Sequence, residues 1–227
     1  HIHMLLTKRP ENIQRYWTGC PGAPDDIFRG SDDGQTFSLY RHNVYLGTSC
    51  SEQKTFDRNW PLLAKCRDYC PVLFLSCEPL LGPIDLSSHL PLERDRDDSW
   101  RRRSKFCENT PNLWLIAGGE SGPHARPCNV GWIRDLVAQC DALELPPFVK
   151  QFGSCPVIDY DEPDDELREW AMSHRNEIWR CDNGQYTVFN IDKHGASVPP
   201  SSVCRFWLKH GKGEDPSEWP DSLKRQE

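Results

Sequence analysis

The sequence predicts an α/β fold built on a parallel sheet or barrel, and three observations favour it. Five short apolar runs alternate with segments of helical period at intervals of roughly 30 to 40 residues. Runs such as VLFL and LWLIA are apolar at consecutive positions, which is typical of strands buried on both faces. Polar side chains follow each run where it ends. Parallel strands joined by right-handed crossovers explain all three observations.

Composition limits the class of protein. The chain has 227 residues, a net charge of -7 and a mean hydropathy of -0.70, which predict one large globular domain or one domain with a small appendage. No apolar stretch approaches the roughly 20 residues that span a bilayer, and no signal peptide is evident. We therefore expect a cytoplasmic protein with no membrane contact. The negative net charge disfavours non-specific electrostatic binding to nucleic acid.

The first two apolar runs frame a long loop. Residues 2–7 predict a strand, and 9–17 predict a helix with Pro10 in its first turn. Residues 18–42 are rich in Gly, Pro and Asp and are too long for an ordinary connection, so the sequence predicts an insertion, a lid or a disordered segment.

The middle of the chain repeats the strand-helix unit. Residues 43–49 and 71–78 predict strands, and Ser49 or Ser51 is expected to cap the helix between them. The apolar side of that helix carries Phe56, Trp60 and Leu63. Residues 87–110 form a mixed charge run, for which we expect a solvated segment.

Two further strands complete the predicted barrel domain, 1–153. They span 112–119 and 147–153, and between them 129–144 has the clearest amphipathic pattern, with Asn129 as its cap. Residues 154–227 predict a small irregular extension with a hairpin at Asp182-Asn183-Gly184 and a tail anchored on the barrel by Trp207 and Trp219.

Eleven cysteines make the chain cysteine-rich for an intracellular protein. Without a secretion signal, buried free thiols are expected rather than a disulfide framework. Cys66 and Cys70 lie one helical turn apart and Cys77 follows on the next strand. A zinc site there stays open as the less favoured interpretation, because structural zinc sites use two short-spaced pairs.

Charged residues at strand ends are the candidate site, since the carboxyl ends of parallel strands meet at one edge. We expect Glu78, Glu120 and Lys150 to form a catalytic acid–base group. The candidate substrate-binding residues are Lys8, Arg9, Ser121, Arg126 and Gln151. No dinucleotide fingerprint, phosphate-binding loop, zinc-protease or nucleophile-elbow motif is present. Gly118 and Gly119 are expected to let the backbone approach a ligand.

Several stretches carry a family resemblance. The most specific are SCEPLLGPIDL (76–86) and GGESGPHARP (118–127), supported by LLTKRPENI (5–13) and PPFVKQFG (146–153). Together they resemble a phage-associated protein family of unknown function, with a predicted barrel like that of radical S-adenosylmethionine enzymes. Members often lie beside a three-Cys-motif partner protein.

The resemblance implies a partial, TIM-like barrel that completes a longer enzyme. Family members carry a cluster-binding three-cysteine segment upstream of the LTKRP strand, and nothing in this chain, which opens at His1, matches it. The resemblance therefore implies that an iron–sulfur cluster and S-adenosylmethionine belong to a full-length form, and we assign no cofactor or metal to this chain. A phage context implies a nucleic acid or nucleotide substrate.

Two alternatives remain open from the residues. One is a non-catalytic binding or partner-interaction module with structural strand-end charges. The other is a cluster-free α/β barrel enzyme that uses Glu78 and Glu120 as a carboxylate pair.

Overall fold

A computed structural model describes residues 1–17, 41–90, 112–159, 164–182, 185–189, 202–206, 208 and 212–224. Most of the predicted insertion at 18–42, the charge run beyond residue 90, the turn at 183–184 and Trp207 lie outside these residues.

The five strands predicted for the main sheet all form, and their ends differ from the expected ones by at most two residues. The strands are β1 His3–Thr7, β2 Val44–Ser49, β3 Val72–Cys77, β4 Asn112–Gly118, β5 Cys128–Asn129, β6 Pro147–Gln151, β7 Pro156–Asp159, β8 Arg175–Asp182, β9 Gln185–Phe189 and β10 Ser202–Phe206. The helices are α1 Glu11–Trp17, α2 Gln53–Ala64, α3 Val130–Ala142 and α4 Asp165–His174.

The main sheet has five parallel strands in the order β1-β2-β3-β4-β6. Each strand lies beside the one that precedes it in this series, so every crossover joins neighbours. The predicted α/β class with a parallel sheet is confirmed. In the described part of the chain the sheet is open, with β1 and β6 at its edges, and a closed barrel is not seen.

One face of this sheet is covered by helices, which we call the helix face. Its strands contribute Leu46, Leu73, Leu75, Leu115, Ala117 and Val149, all at most 4 % exposed. Apolar side chains of α2 and α3 join them in one core, including Phe56, Leu63, Ile133 and Leu136. The amphipathic pattern of both helices therefore faces the sheet as the sequence predicts.

The opposite face, which we call the open face, carries the alternate residues of the same strands. By the strand register these are Met4, Leu6, Tyr45, Gly47, Ser49, Phe74, Ser76, Trp114, Ile116 and Phe148. Within the described residues, none of them belongs to the core that the helices share. Met4 and Leu6, at the β1 edge, are 46 % and 53 % exposed.

The helix caps follow the prediction in one case and depart from it in the other. Asn129 caps α3, since its side chain accepts the Gly131 backbone N–H at 2.8 Å. The expectation of Ser49 or Ser51 for α2 is wrong, because Glu52 is the cap and shares a capping box with Thr55. Ser49 remains in β2, where strand pairing holds it opposite Ser76.

A second sheet and the C-terminal tail pack beside the first sheet. Its order is β5-β7-β10-β8-β9, and β8 pairs antiparallel with β9, with Asp182 opposite Gln185. Trp219 is 1 % exposed and stacks on Phe152 with ring centroids 4.7 Å apart. Trp219 therefore packs against the residue that follows β6.

None of the described helices is long and apolar enough to cross a membrane.

Candidate functional site

The carboxyl end of the main sheet brings Glu78 and Lys150 together. Glu78 follows β3 and Lys150 is the penultimate residue of β6, with β4 between their strands. The Lys150 Nζ lies 3.0 Å from Oε1 and 3.1 Å from Oε2 of Glu78, so one ammonium group spans both carboxylate oxygens. The Glu78 side chain is 20 % exposed and that of Lys150 is 52 % exposed. The pair therefore lies at a surface that solutes reach.

Gln151 connects this pair to the loop that follows β4. Its Nε2 lies 3.2 Å from Glu78 Oε1, 2.9 Å from the Gly119 carbonyl oxygen and 2.7 Å from Ser121 Oγ. An amide nitrogen carries two hydrogens, so three acceptors share two donors. The Gln151 residue is 6 % exposed, which makes it the buried centre of the network.

Glu120 and Arg126 form a separate clamp within the same loop. Glu120 Oε2 accepts the Arg126 backbone N–H at 2.9 Å and its Nε–H at 2.7 Å, while Oε1 accepts Nη2 at 2.9 Å. These hydrogen bonds lower the pKa of the Glu120 carboxyl to about 2. The carboxylate is consequently ionised near neutral pH, where a group with so low a pKa is a poor general acid and a weak general base.

The two glycines before Glu120 fit closely against the backbone after β6. A Cβ on Gly119 would lie 2.7 Å from the Phe152 carbonyl carbon and 3.0 Å from Cys128 Cβ. A Cβ on Gly118 would lie 3.1 Å from the Gln151 carbonyl oxygen. The expectation that these glycines admit a ligand therefore needs correction, because protein backbone fills the space beside them.

The C-terminal tail is hydrogen-bonded to the two residues that follow β6, partners that the sequence pattern does not identify. The Phe152 N–H donates to the Gly213 carbonyl and the Gly153 N–H donates to the Lys212 carbonyl, both at 2.9 Å. Trp219 Nε1 donates to the same Gly213 carbonyl at 3.1 Å. The tryptophan pattern signalled the anchor, but no local signal identifies its backbone partners.

Lys8 and Arg9 are not brought into this group. They follow β1, which lies two strands from β3 and four strands from β6. At about 4.8 Å between strands, the ends of β1 and β3 are roughly 10 Å apart. Among the described residues, no hydrogen bond or ion pair joins either side chain to Glu78, Lys150 or Gln151. Lys8 and Arg9 therefore lie at the β1 end of the sheet edge, apart from the Glu78–Lys150 pair at β3 and β6.

The described cysteines are buried thiols. Cys50, Cys66, Cys70, Cys77, Cys128, Cys140 and Cys155 are buried and form no disulfide. Burial raises the pKa of Cys66 to about 11 and that of Cys128 to about 12, which disfavours the thiolate that binds metals. Over the described part of the chain, no three His, Cys, Asp or Glu side chains lie close enough together to hold a metal ion. These residues do not fit an iron–sulfur cluster.

The strand-end group offers one kind of chemistry. Glu78 presents carboxylate oxygens, Lys150 an ammonium group and Ser121 a hydroxyl, all connected through Gln151. Such a set offers hydrogen-bond donors and acceptors that are complementary to amine and hydroxyl groups. In this ion pair each charge has the other as its partner.

The chain was compared with curated proteins, with solved structures and with models of protein families. Neither a curated protein nor a solved structure is significantly similar to the chain. One family model matches it, over residues 1–186, which include the whole main sheet and the strand-end group. The chain therefore belongs to the family described as Protein of unknown function (DUF5131).

Proposed function

We propose that this chain is the substrate-side part of a phage-associated, radical-SAM-like barrel enzyme acting on a nucleotide or nucleic acid. The observation that carries the proposal is the main sheet itself, with five parallel strands in chain order and a pair of charged side chains at the carboxyl ends of β3 and β6. In parallel α/β folds the active site forms at this edge. The distinct open face is the side that would line a barrel interior.

The β1 edge supports continuation of the sheet. Met4 and Leu6 lie on one face of this strand and Leu5 on the other, and each is 46 % to 53 % exposed. Parallel strands are normally covered on both faces, and an exposed apolar edge strand favours further pairing. In the proposed enzyme, further strands join here, and a three-Cys-motif protein is the proposed partner of the assembly.

The cofactors of this class come from outside the described residues. Because the described cysteines do not fit a cluster, its ligands are proposed to lie elsewhere in the gene product. The bound cluster and S-adenosylmethionine would supply the radical chemistry. The described residues would bind and orient the substrate, with Glu78 accepting hydrogen bonds from ligand hydroxyl or amine groups and Lys150 donating to ligand oxygens.

A cluster-free enzyme with Glu78 and Glu120 as an acid–base pair is less well supported. Each carboxylate has its own cation, Lys150 in one case and Arg126 in the other. The lowered pKa of Glu120 leaves no proton to donate near neutral pH.

The proposal is tested by anaerobic cleavage of S-adenosylmethionine, with dithionite as reductant and 5′-deoxyadenosine as the measured product. The full gene product and its Glu78→Gln and Lys150→Met variants are compared. Lys224→Met is the matched control, because Lys224 forms an exposed ion pair with Asp221 at 2.6 Å in the tail. We expect cleavage by the unmodified protein and by the control, with at least a tenfold loss in both site variants.

The urea denaturation curves of all four proteins accompany this assay. Exposed ion pairs contribute about 0 to 1 kcal/mol, so stability should be nearly equal among them. No cleavage by the folded, reconstituted protein would refute the enzyme proposal. Equal cleavage by the site variants and the control would refute the role of the strand-end group.

A further inference from the structure

We infer that Lys8 and Arg9 bind a phosphate group of the ligand, supplied either by a nucleotide or by a nucleic-acid backbone. We call these two residues the β1 cation pair. The inference rests on the proposed function, because it names the charged group of the ligand that the same sheet edge receives. It uses side chains that the Glu78–Lys150 pair does not include.

The β1 cation pair lies at the carboxyl edge of the main sheet. β1 ends at Thr7, and Lys8 and Arg9 are the next two residues. In parallel α/β folds, the loops at this edge carry the side chains that bind ligands. Both residues of the pair are exposed, whereas Pro10 directly after them is buried. A ligand in solution therefore reaches both charges.

Hydrogen bonds hold the backbone from which the two side chains extend. The Arg9 backbone N–H donates to Thr7 Oγ1 at 3.0 Å, and the Arg9 carbonyl accepts the Asn12 N–H at 3.1 Å. The Thr7 carbonyl accepts the hydroxyl of Thr48, a fully buried residue of β2, at 2.9 Å. The backbone of the pair is thus fixed between β2 and α1, which lowers the cost of ordering it when a ligand binds.

The positive charge of the pair is not neutralised by a carboxylate. Over the described residues, neither side chain forms an ion pair or a hydrogen bond, and Glu11, the nearest acidic residue along the chain, forms none with them. By contrast, Lys150 and Arg126 face carboxylates at 3.0 Å and 2.7 Å. An anion gains more from a charge that no carboxylate already neutralises. The β1 cation pair is therefore a better anion site than Lys150.

The two side chains suit a phosphate group. Arginine presents a planar fork of N–H donors that matches phosphate oxygens, and lysine adds a compact charge with three donors. A phosphate monoester carries about -1.5 to -2 charges and three acceptor oxygens, so it uses both cations at once. The net charge of -7 disfavours non-specific binding of such anions, and recognition then depends on this local pair.

The position of the pair relative to Glu78 orients the ligand. The ends of β1 and β3 are roughly 10 Å apart, at about 4.8 Å between strands. Glu78 accepts hydrogen bonds from hydroxyl or amine groups and repels phosphate, whereas the β1 cation pair attracts phosphate. A nucleotide or a nucleic-acid strand carries both kinds of group. It is therefore expected to lie along the edge with its phosphate toward β1.

Isothermal titration of the full gene product tests this inference. The ligands are the four deoxynucleosides, their 5′-monophosphates and a single-stranded DNA oligonucleotide of mixed sequence. The variant Lys8→Met/Arg9→Met removes both charges. The matched control is Arg15→Met/Lys65→Met, which removes two exposed cations at the ends of α1 and α2 that have no ion pair in the part of the chain that the structure describes. Urea denaturation establishes that each variant is folded.

We expect a phosphorylated ligand to bind more tightly than the nucleosides do. Its affinity should fall about tenfold or more in Lys8→Met/Arg9→Met, because hydrogen bonds to charged groups are lost, and should not change in the control. For the oligonucleotide, the slope of log affinity against log salt concentration should become shallower by about 0.7, the value for one phosphate contact on a single strand. A purely structural role of the pair would leave this slope unchanged.

Three results would overturn the inference. The first is failure of every phosphorylated ligand to bind the folded, unmodified protein. The second is equal affinity of Lys8→Met/Arg9→Met and its control for the ligand that binds. The third is an equal loss of affinity for a nucleoside and for its monophosphate in the variant, because the pair would then not act on the phosphate.

The titrations also separate the two sources of the phosphate. A monophosphate that binds tightly and is not displaced by the oligonucleotide identifies a free nucleotide, whereas an oligonucleotide that binds more tightly than any monophosphate identifies a nucleic-acid backbone. Both results support the inference. Loss of phosphate binding in the variant without S-adenosylmethionine cleavage by any protein would keep this inference and reject the enzyme. Cleavage by the unmodified protein with unchanged ligand binding in the variant would do the opposite.

Discussion

Gly119 is the position where a single methyl group should disturb the site most. In Gly119→Ala the new Cβ would lie 2.7 Å from the Phe152 carbonyl carbon, and closer still to its oxygen. Favourable carbon contacts begin at about 3.5 Å, so the overlap with carbon alone is roughly 0.8 Å. Phe152 is fully buried and its N–H is bonded to Gly213, which prevents easy movement of its backbone.

Because backbone must shift, the cost should lie at the upper end of the range for overpacking, about 3 kcal/mol of unfolding free energy. Urea denaturation followed by far-ultraviolet circular dichroism measures it. The matched control is Gly82→Ala, whose Cβ would meet only Glu52 Cβ at 3.5 Å, and we expect a change within about 1 kcal/mol. Equal unfolding free energies for the two variants would refute the close packing of Gly119 on the end of β6.

Three further predictions concern the tail, the clamp and the thiols. Trp219→Ala should lower the free energy of unfolding by about 3 to 5 kcal/mol, because a buried ring stacked on Phe152 is lost; thermal and urea unfolding measure this. Glu120→Gln should lower the free energy of unfolding above about pH 4.5, and this loss should vanish as the pH falls toward 2, because the pKa of Glu120 is lowered from 4.5 to about 2 in the native protein. Urea unfolding midpoints of both proteins across this pH range measure the loss. A loss that does not change with pH would contradict the prediction. Burial raises the pKa of Cys50 and that of Cys128 to about 12, so both thiols should resist maleimide at pH 8 in the native protein and react in urea. Peptide mass spectrometry identifies the labelled cysteines. Rapid labelling of either thiol in the native protein would contradict its burial.

The strands were predictable because a strand buried on both faces is apolar at consecutive positions. Runs such as VLFL became β3 and its neighbours, and Asn129 ended up as the cap of α3. The cap of α2 was not predictable in the same way. Ser49 has the right side chain for a cap, but pairing with β3 keeps it in the strand, and tertiary structure overrides the local preference.

The candidate site was predictable only as a set of strand ends. That Glu78 and Lys150 meet depends on β3 and β6 both lying beside β4, which residue types alone do not specify. The same strand order places Lys8 away from them. The clamp between Glu120 and Arg126 is local and lies within one loop. The contact of Gly119 with Phe152 requires the backbone path of two strands and has no sequence signal of its own.

The most direct test of the central claim is anaerobic iron and sulfide analysis, with an absorbance spectrum, on the full gene product and on this 227-residue chain in parallel. The described thiols are buried and do not assemble into a metal site, so the account predicts a cluster in the full gene product whose ligands lie outside the described residues. Absence of iron and sulfide from the reconstituted full gene product would contradict the radical-SAM-like function.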